Sequence, residues 1–319
     1  MYNVTALGEM LIDFTEQGKN KDGQNLFAQN AGGAPANVVA CVSKLGGKTA
    51  FIGKAGLDMH GKFLKQTLIA NGINANGFVL DKNYFTTLAF VAVAPNGERE
   101  FSFARQHGAD KMLTKKDVSV DIIRNSQVLH VGSVSMTDCP SADATLFAVK
   151  TAKKLGVTVS YDPNYRKSLW ANEALAIKKM RSLLSYADIV KISDEETLLL
   201  TGETDYVKAG EVLLNKGVSV AIITLGKDGA YVVNKEGGAI VVGFKANAVD
   251  ATGAGDSFFG GFLYKLTEIG KKPSEISLNE ACDFATFGNA VASLCVEGYG
   301  AIPSLPTMDA MLNRIKNKA

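Results

Sequence analysis

The chain has 319 residues, of which 46% are hydrophobic and 21% charged, with a formal net charge of +2. Those values suit an ordinary soluble globular protein with one large domain or two modest ones. A charge so near zero gives no electrostatic reason to propose nucleic acid or an anionic membrane as a partner.

The N-terminal "MYNVTALGEMLIDF" reads as a first strand with Asp13 at its end. No basic stretch precedes its apolar run, so it is not read as a signal peptide. Residues 15–31 are polar with Gly turns. Gly32 and Gly33 then lead into a helix with Asn37 at its start; the two glycines would let a ligand lie against backbone, and an amide offers both a donor and an acceptor. Residues 77–105 carry strand signals with no helix between them, and Asn96-Gly97 is a hairpin signal. A small β element, formed by about 15–31 and 77–105, is therefore expected to project from the main body as a lid.

Farther on the pattern alternates. Val128–Val131, Thr158–Asp162, Ile189–Ile192 and Val220–Thr224 are short β-branched runs. Ala142–Leu155, Ala174–Tyr186 and Tyr206–Asn215 have helical spacing. Such alternation predicts a doubly wound, mostly parallel α/β sheet flanked by helices. No run of about 18 apolar residues occurs, so no membrane span is expected. Cys41, Cys139, Cys282 and Cys295 stand alone without a CxxC pair, which reads as free thiols in a cytoplasmic protein.

Two common phosphate loops are absent. "GGKT" at 46–49 resembles the tail of a Walker A loop, but the glycine required five residues before Gly47 is Val42. "GAGDSF" supplies two glycines of a dinucleotide fingerprint and then Phe258 in place of the third, which argues against a dehydrogenase. His60, His107 and His130 have no metal-ligand spacing.

The informative stretch is "VDATGAGDSFFGGFLYKL" at 249–266. A helix N-terminus has unpaired amides and roughly half a positive charge. Gly253, Ala254 and Gly255 would let an anion approach those amides closely. Asp256, just beyond, is placed to accept a proton from a hydroxyl that attacks a phosphoryl group held by the same turn. An aspartate in a first helical turn is also a common capping feature.

"DATGAGDSFFGG" at 250–261 and "AGGAPANVVACVSKLGG" at 31–47 resemble the two signatures of the ribokinase-like (PfkB-type) carbohydrate kinases, in the right order and about 220 residues apart. The likeness runs from "LGEMLIDF" through "GAIPSLP". It implies a single ribokinase-like kinase domain over 1–319 that uses ATP and Mg²⁺, with Asp256 as catalytic base and the preceding turn as anion hole. It places Asp13, Gly32, Gly33 and Asn37 on the sugar. It places Thr224, Gly226 and Gly229 of "TLGKDG" near ATP, with Lys191 near its phosphates and Asn289 near the adenine. Glu196 matches the glutamate that organises the water around Mg²⁺, while Ser193 stands where the family usually has Asn. Asp250 and Thr252 match the start of a monovalent cation site, taking K⁺.

"GGAPANVV", "FSFARQHGADKML" and "DPNYRKSLW" resemble the fructokinases. Arg105 would reach or close over the sugar, and Arg166 would bind the transferring phosphoryl group. The implied reaction is phosphorylation of fructose at its 6-hydroxyl. The alternative is 2-keto-3-deoxygluconate kinase, whose acid substrate Arg105 and Arg166 would also suit. A non-catalytic sugar- or nucleotide-binding regulator would be expected to lack Asp256 or the glycine turn. Pairing of two lids would make a homodimer.

Overall fold

The four β-branched runs all become strands of one sheet, and a second, smaller sheet forms from segments before residue 105. The computed structural model describes residues 1–93 and 99–317. The strands are β1 (Tyr2–Leu7), β2 (Leu11–Lys19), β3 (Asn25–Gly32), β4 (Thr49–Gly56), β5 (Ile73–Asp81), β6 (Leu88–Val93), β7 (Arg99–Ala104), β8 (Ser126–Val131), β9 (Thr158–Tyr161), β10 (Ile189–Ser193), β11 (Val220–Thr224), β12 (Gly229–Asn234) and β13 (Gly237–Val242). The helices are α1 (Ala34–Lys44), α2 (Met59–Ala70), α3 (Val120–Arg124), α4 (Ser141–Leu155), α5 (Glu173–Leu184), α6 (Thr197–Thr201), α7 (Tyr206–Asn215), α8 (Ala254–Ile269), α9 (Leu278–Cys295) and α10 (Met308–Lys316).

The main sheet runs β13-β12-β11-β10-β9-β8-β1-β4-β5, parallel from β11 to β5 and antiparallel at β12 and β13. Strand side chains alternate between faces. Val190, Ile192, Ala221 and Ile223 therefore pack with α4, α5 and α7, whereas Ile189, Val220 and Ile222 pack with α1, α8 and α9. The same alternation turns Lys191 to the α8 side and puts His130 edge-on to Phe259 of α8, at 5.4 Å.

The small sheet runs β3-β2-β6-β7, with a parallel seam between β2 and β6. Its limits differ from the sequence expectation. The small sheet begins at Leu11, not at residue 15, and residues 77–81 belong to β5 at the edge of the main sheet. Asp13 is thus not at the end of the first strand. The apolar run hides a break at Gly8–Met10, after which the chain enters β2 and Ile12 bonds to the Thr87 carbonyl at 3.1 Å. The Asn96-Gly97 hairpin lies outside the described residues; the strands on either side of it, β6 and β7, pair antiparallel. Among the described residues no helix is long and apolar enough to cross a membrane.

Candidate active site

The site forms beyond the carboxyl ends of the parallel strands, where open α/β sheets leave a crevice. Glu9 follows β1, Asp162 follows β9, and Ser193 and Thr224 end β10 and β11. Against these ends stands the N-terminus of α8, with Gly253 as its N-cap at φ +78°. A side chain there would be strained by the left-handed backbone, and its Cβ would lie 2.4 Å from that of Ala301. Ala254 turns its amide to the Ala251 carbonyl at 3.2 Å and Ser257 donates to the Gly253 carbonyl at 2.8 Å. The amides of Gly255 and Asp256 are the helix-end donors between them.

Asp256 is buried, and two amides hold it. Asn37 Nδ2 donates to Oδ2 at 2.8 Å and Asn164 Nδ2 to Oδ1 at 3.4 Å. Burial and the nearby Asp162 raise its pKa to about 6, against the opposing pull of the Asn37 hydrogen bond, Lys191 and Arg166. A carboxylate tuned to that range is suited to proton transfer near neutral pH. Asn37 gives one N–H to Asp256, and its Oδ1 is buried without a hydrogen-bond partner. That oxygen is an acceptor awaiting a donor, as a sugar hydroxyl would be.

Lys191 is 6% exposed and ion-pairs with Asp162 at 2.8 Å. Its Nζ would lie 2.9 Å from a Cβ at Gly255, so the ammonium presses on the glycine turn that opens α8. Burial works against that charge, but Asp162, Glu196 and Asp256 outweigh it and the pKa is raised. The salt bridge of Asp162 is therefore with Lys191, not Arg166. Arg166 is exposed, donates to the Tyr165 carbonyl at 3.1 Å and lies near enough to Asp256 to favour its ionised form.

Glu196 ties two loops together. Its Oε1 accepts from the Tyr165 amide at 2.6 Å, and its Oε2 accepts from the Ser193 amide at 2.9 Å and the Ser193 hydroxyl at 3.3 Å. Ser193 thus serves as a helix cap, reciprocated by Glu196. Burial and Asp162 raise the Glu196 pKa, with Lys191 and the two amides opposing.

Gly229 and Asn289 meet at β13, while Thr224 and Gly226 lie apart from it. A Cβ at Gly229 would lie 2.1 Å from the Val241 carbonyl, to which Asn289 Nδ2 donates at 3.0 Å. Thr224 Oγ1 reaches the Ile192 carbonyl at 3.4 Å, and Gly226 is exposed. Asp250 is buried, accepting from the Thr252 amide at 2.7 Å and the Gly300 amide at 2.9 Å.

On the sugar side, Asp13 lies against Gly32, where a Cβ would meet Oδ2 at 1.9 Å. Gly33, at φ +114°, packs on the Glu9 carbonyl. Arg105 is not poised over an open pocket. It is 5% exposed and held by Asp110 at 2.7 Å, Thr137 Oγ1 at 2.8 Å and the Val134 carbonyl at 3.1 Å. Sequence reasoning did not single out Glu9, which accepts from the Ala34 amide, or Asp110, which holds Arg105, both buried. A lone Glu inside the apolar "LGEMLIDF" was the available signal for the first.

The profile of the pfkB family carbohydrate kinases matches residues 1–308. The chain is 40% identical over 320 residues to "Probable fructokinase-5" of Arabidopsis thaliana, spanning 99% of this chain and 98% of that one. It superposes on the fructokinase with bound ATP from Xylella fastidiosa with a TM-score of 0.91 at 30% identity, covering 100% and 99% of the two chains. A double mutant of the fructokinase from Vibrio cholerae O395, in its fructose, ADP and potassium ion bound form, gives a TM-score of 0.87 at 29% identity over 97% of each chain. With two signature regions built around one buried carboxylate, this chain belongs to the pfkB carbohydrate kinase family and is an ATP-dependent carbohydrate kinase.

Proposed function

We propose that the enzyme transfers the γ-phosphoryl group of ATP to the 6-hydroxyl of fructose. One observation carries the chemistry: Asp256, held by Asn37, stands one residue from a turn against which the Lys191 ammonium is pressed. The acceptor hydroxyl gives its proton to Asp256 as its oxygen attacks phosphorus. The bond from phosphorus to the β,γ-bridging oxygen breaks, and ADP leaves. The Gly255 and Asp256 amides, Lys191 and Arg166 face the charge that spreads over the transferring oxygens. ATP lies across Thr224, Gly226 and Gly229, with Asn289 bracing β13 beside Gly229. Fructose lies between Asp13, Gly32, Gly33 and Asn37. Closure of the small sheet over the sugar would exclude water and suppress ATP hydrolysis.

Among the described residues no group of three His, Cys, Asp or Glu side chains could hold a metal directly. That fits Mg²⁺, which keeps several waters and binds chiefly through substrate phosphates. Glu196 Oε1 accepts one amide and so has a lone pair left for such a water. Mg²⁺ would neutralise charge on the β- and γ-oxygens. A K⁺ site beside Asp250 and Thr252 belongs to the same proposal, as does a homodimer through the small sheet. That sheet presents Leu26, Phe27 and Phe90, exposed by 46%, 41% and 39%.

Fructose is favoured over 2-keto-3-deoxygluconate because Arg105, one of two arginines suited to a carboxylate, is already neutralised by Asp110. The test is ADP release with ATP and Mg²⁺ across fructose, 2-keto-3-deoxygluconate, ribose and adenosine. Turnover on fructose alone supports the reading. Turnover on the keto acid keeps the mechanism and overturns the acceptor. Nucleotide and sugar binding with no turnover would point to a regulator.

A further inference from the structure

Glu9 has no task in this scheme, yet it is a 3% exposed carboxylate, a costly state unless a partner justifies it. It lies in the Gly8–Met10 link, where the chain leaves the main sheet for the small one. Its Oε1 accepts from the Ala34 amide at 3.3 Å, while its Oε2 is buried without a hydrogen-bond partner. Ala34 opens α1, a helix without a cap of its own. The N-cap is Gly33, no acidic residue occupies the first turn, and Pro35 has no N–H. Glu9 supplies the missing acceptor from another segment. The link and the helix start also interlock. A Cβ at Gly33 would lie 2.5 Å from the Glu9 carbonyl oxygen, and one at Gly8 would lie 2.6 Å from Pro35 Cγ. One turn along α1, Asn37 donates to Asp256.

We propose that Glu9 is a positioning residue: by holding the first turn of α1 against the β1–β2 link, it sets the Asn37 amide on Asp256. The proposal rests on Asp256 being the base. Besides Asn37, Asp256 is faced by Asp162 after β9, Asn164 and Arg166 in the following loop, and Lys191 on β10. Glu9 is faced by Arg105, Asp110 and Asp256. Burial raises its pKa to about 7, so it is partly neutral near physiological pH and need not ionise to accept the Ala34 bond.

The test compares wild type, Glu9→Gln, Glu9→Ala and Ala34→Pro, measuring kcat and KM for fructose and ATP from about pH 5 to 9. Proline is tolerated at the first helical position and deletes the donor while leaving Glu9 in place. Glu9→Ala and Ala34→Pro are expected to lose about 10–100-fold in kcat, as a misplaced base does, with KM for ATP little changed. Their acidic limb moves to higher pH, because the Asn37 donation that favours ionised Asp256 is weakened. Glu9→Gln keeps an acceptor and stays close to wild type. A wild-type rate and limb in Glu9→Ala or Ala34→Pro overturns the proposal, as does Glu9→Gln failing as badly as Glu9→Ala. If Glu9→Ala does not fold, Ala34→Pro carries the comparison. A wild type inactive on every acceptor sinks the functional reading separately. The pH dependence of Tm between about pH 4 and 6, where Asp256 titrates, then compares Ala34→Pro with wild type, and an unmoved curve overturns the proposal.

Discussion

The proposed scheme gives Lys191 two separable duties, and replacing it with methionine tests both. In the fold it neutralises Asp162, 2.8 Å away, with both side chains at most 7% exposed. Removing one partner of a buried pair leaves the other charge uncompensated, at a cost of about 3–5 kcal/mol. At about 2–3 °C per kcal/mol for a chain of this size, Lys191→Met should lower Tm by about 6–15 °C. Adding Asp162→Asn removes the stranded charge and keeps the Oδ1 that accepts from the Asn164 amide at 3.2 Å. The double variant should therefore recover most of the lost Tm. Catalysis should not recover with it. Losing one charged donor at a phosphoryl site costs about 10²–10³-fold in kcat, and the neutral double variant still lacks it. The assay is thermal unfolding beside steady-state ADP release on the same samples. A double variant that regains both Tm and kcat would show that Lys191 serves only as the counter-charge of Asp162, and would refute the argument from its contact with Gly255.

Asp256→Asn should cost at least about 10²-fold in kcat and abolish the acidic limb near pH 6 in the pH–rate profile of kcat/KM; an active Asn variant with the limb intact would assign the proton to another group. The Asp256 pKa is raised on folding, so between pH 3.8 and about 6 the folded state binds more protons than the unfolded. Its contribution to stability is present at low pH and lost as pH rises through that window. Asp256→Asn should consequently be more stable than wild type at pH 7 by on the order of 2–3 kcal/mol, with the gap closing near pH 4, as read by chemical denaturation. Arg105→Ala should destabilise by about 3–5 kcal/mol, because Asp110 is left buried and unpaired; a large rise in KM for fructose with Tm unchanged would instead return Arg105 to the sugar. Sedimentation should show a dimer that Phe90→Lys dissociates, and a monomeric wild type at micromolar concentration would end the proposal of paired small sheets.

The alternation from residue 126 onward was legible because buried parallel strands demand short β-branched runs, and α7 spans the predicted Tyr206–Asn215. The place of Asp256 at the start of a helix could be read the same way, since a glycine-rich turn before an apolar run allows little else. What stayed hidden was pairing across distance. "KISDEE" shows a lysine in an apolar strand, but only the register of β9 beside β10 shows that Asp162 meets it. Arg105 reads equally well as a ligand or an anchor until Asp110 and Thr137 are seen on it. Asp13 falls in the second strand, not the first, because the chain breaks at Gly8–Met10, where only the lone Glu9 interrupts the apolar run. Asn37 reads as a sugar ligand in sequence, and its additional hydrogen bond to Asp256, 219 residues away, could not be read there.

The parallel seam between β2 and β6 bears on how the molecule assembles. The two strands are adjacent in the small sheet, yet the chain between them passes through β3, α1, β4, α2 and β5. Closing a loop of that length is entropically unfavourable until its contents are ordered. The β2–β6 register is therefore expected to lock after β1, β4 and β5 have joined side by side and brought the two strands to the same rim. On that argument the half of the cleft bounded by the small sheet forms late in folding. A newly made chain can hold a well-formed main sheet before it can hold a sugar, and damage to the β1–β4–β5 edge would surface first as a missing cleft roof.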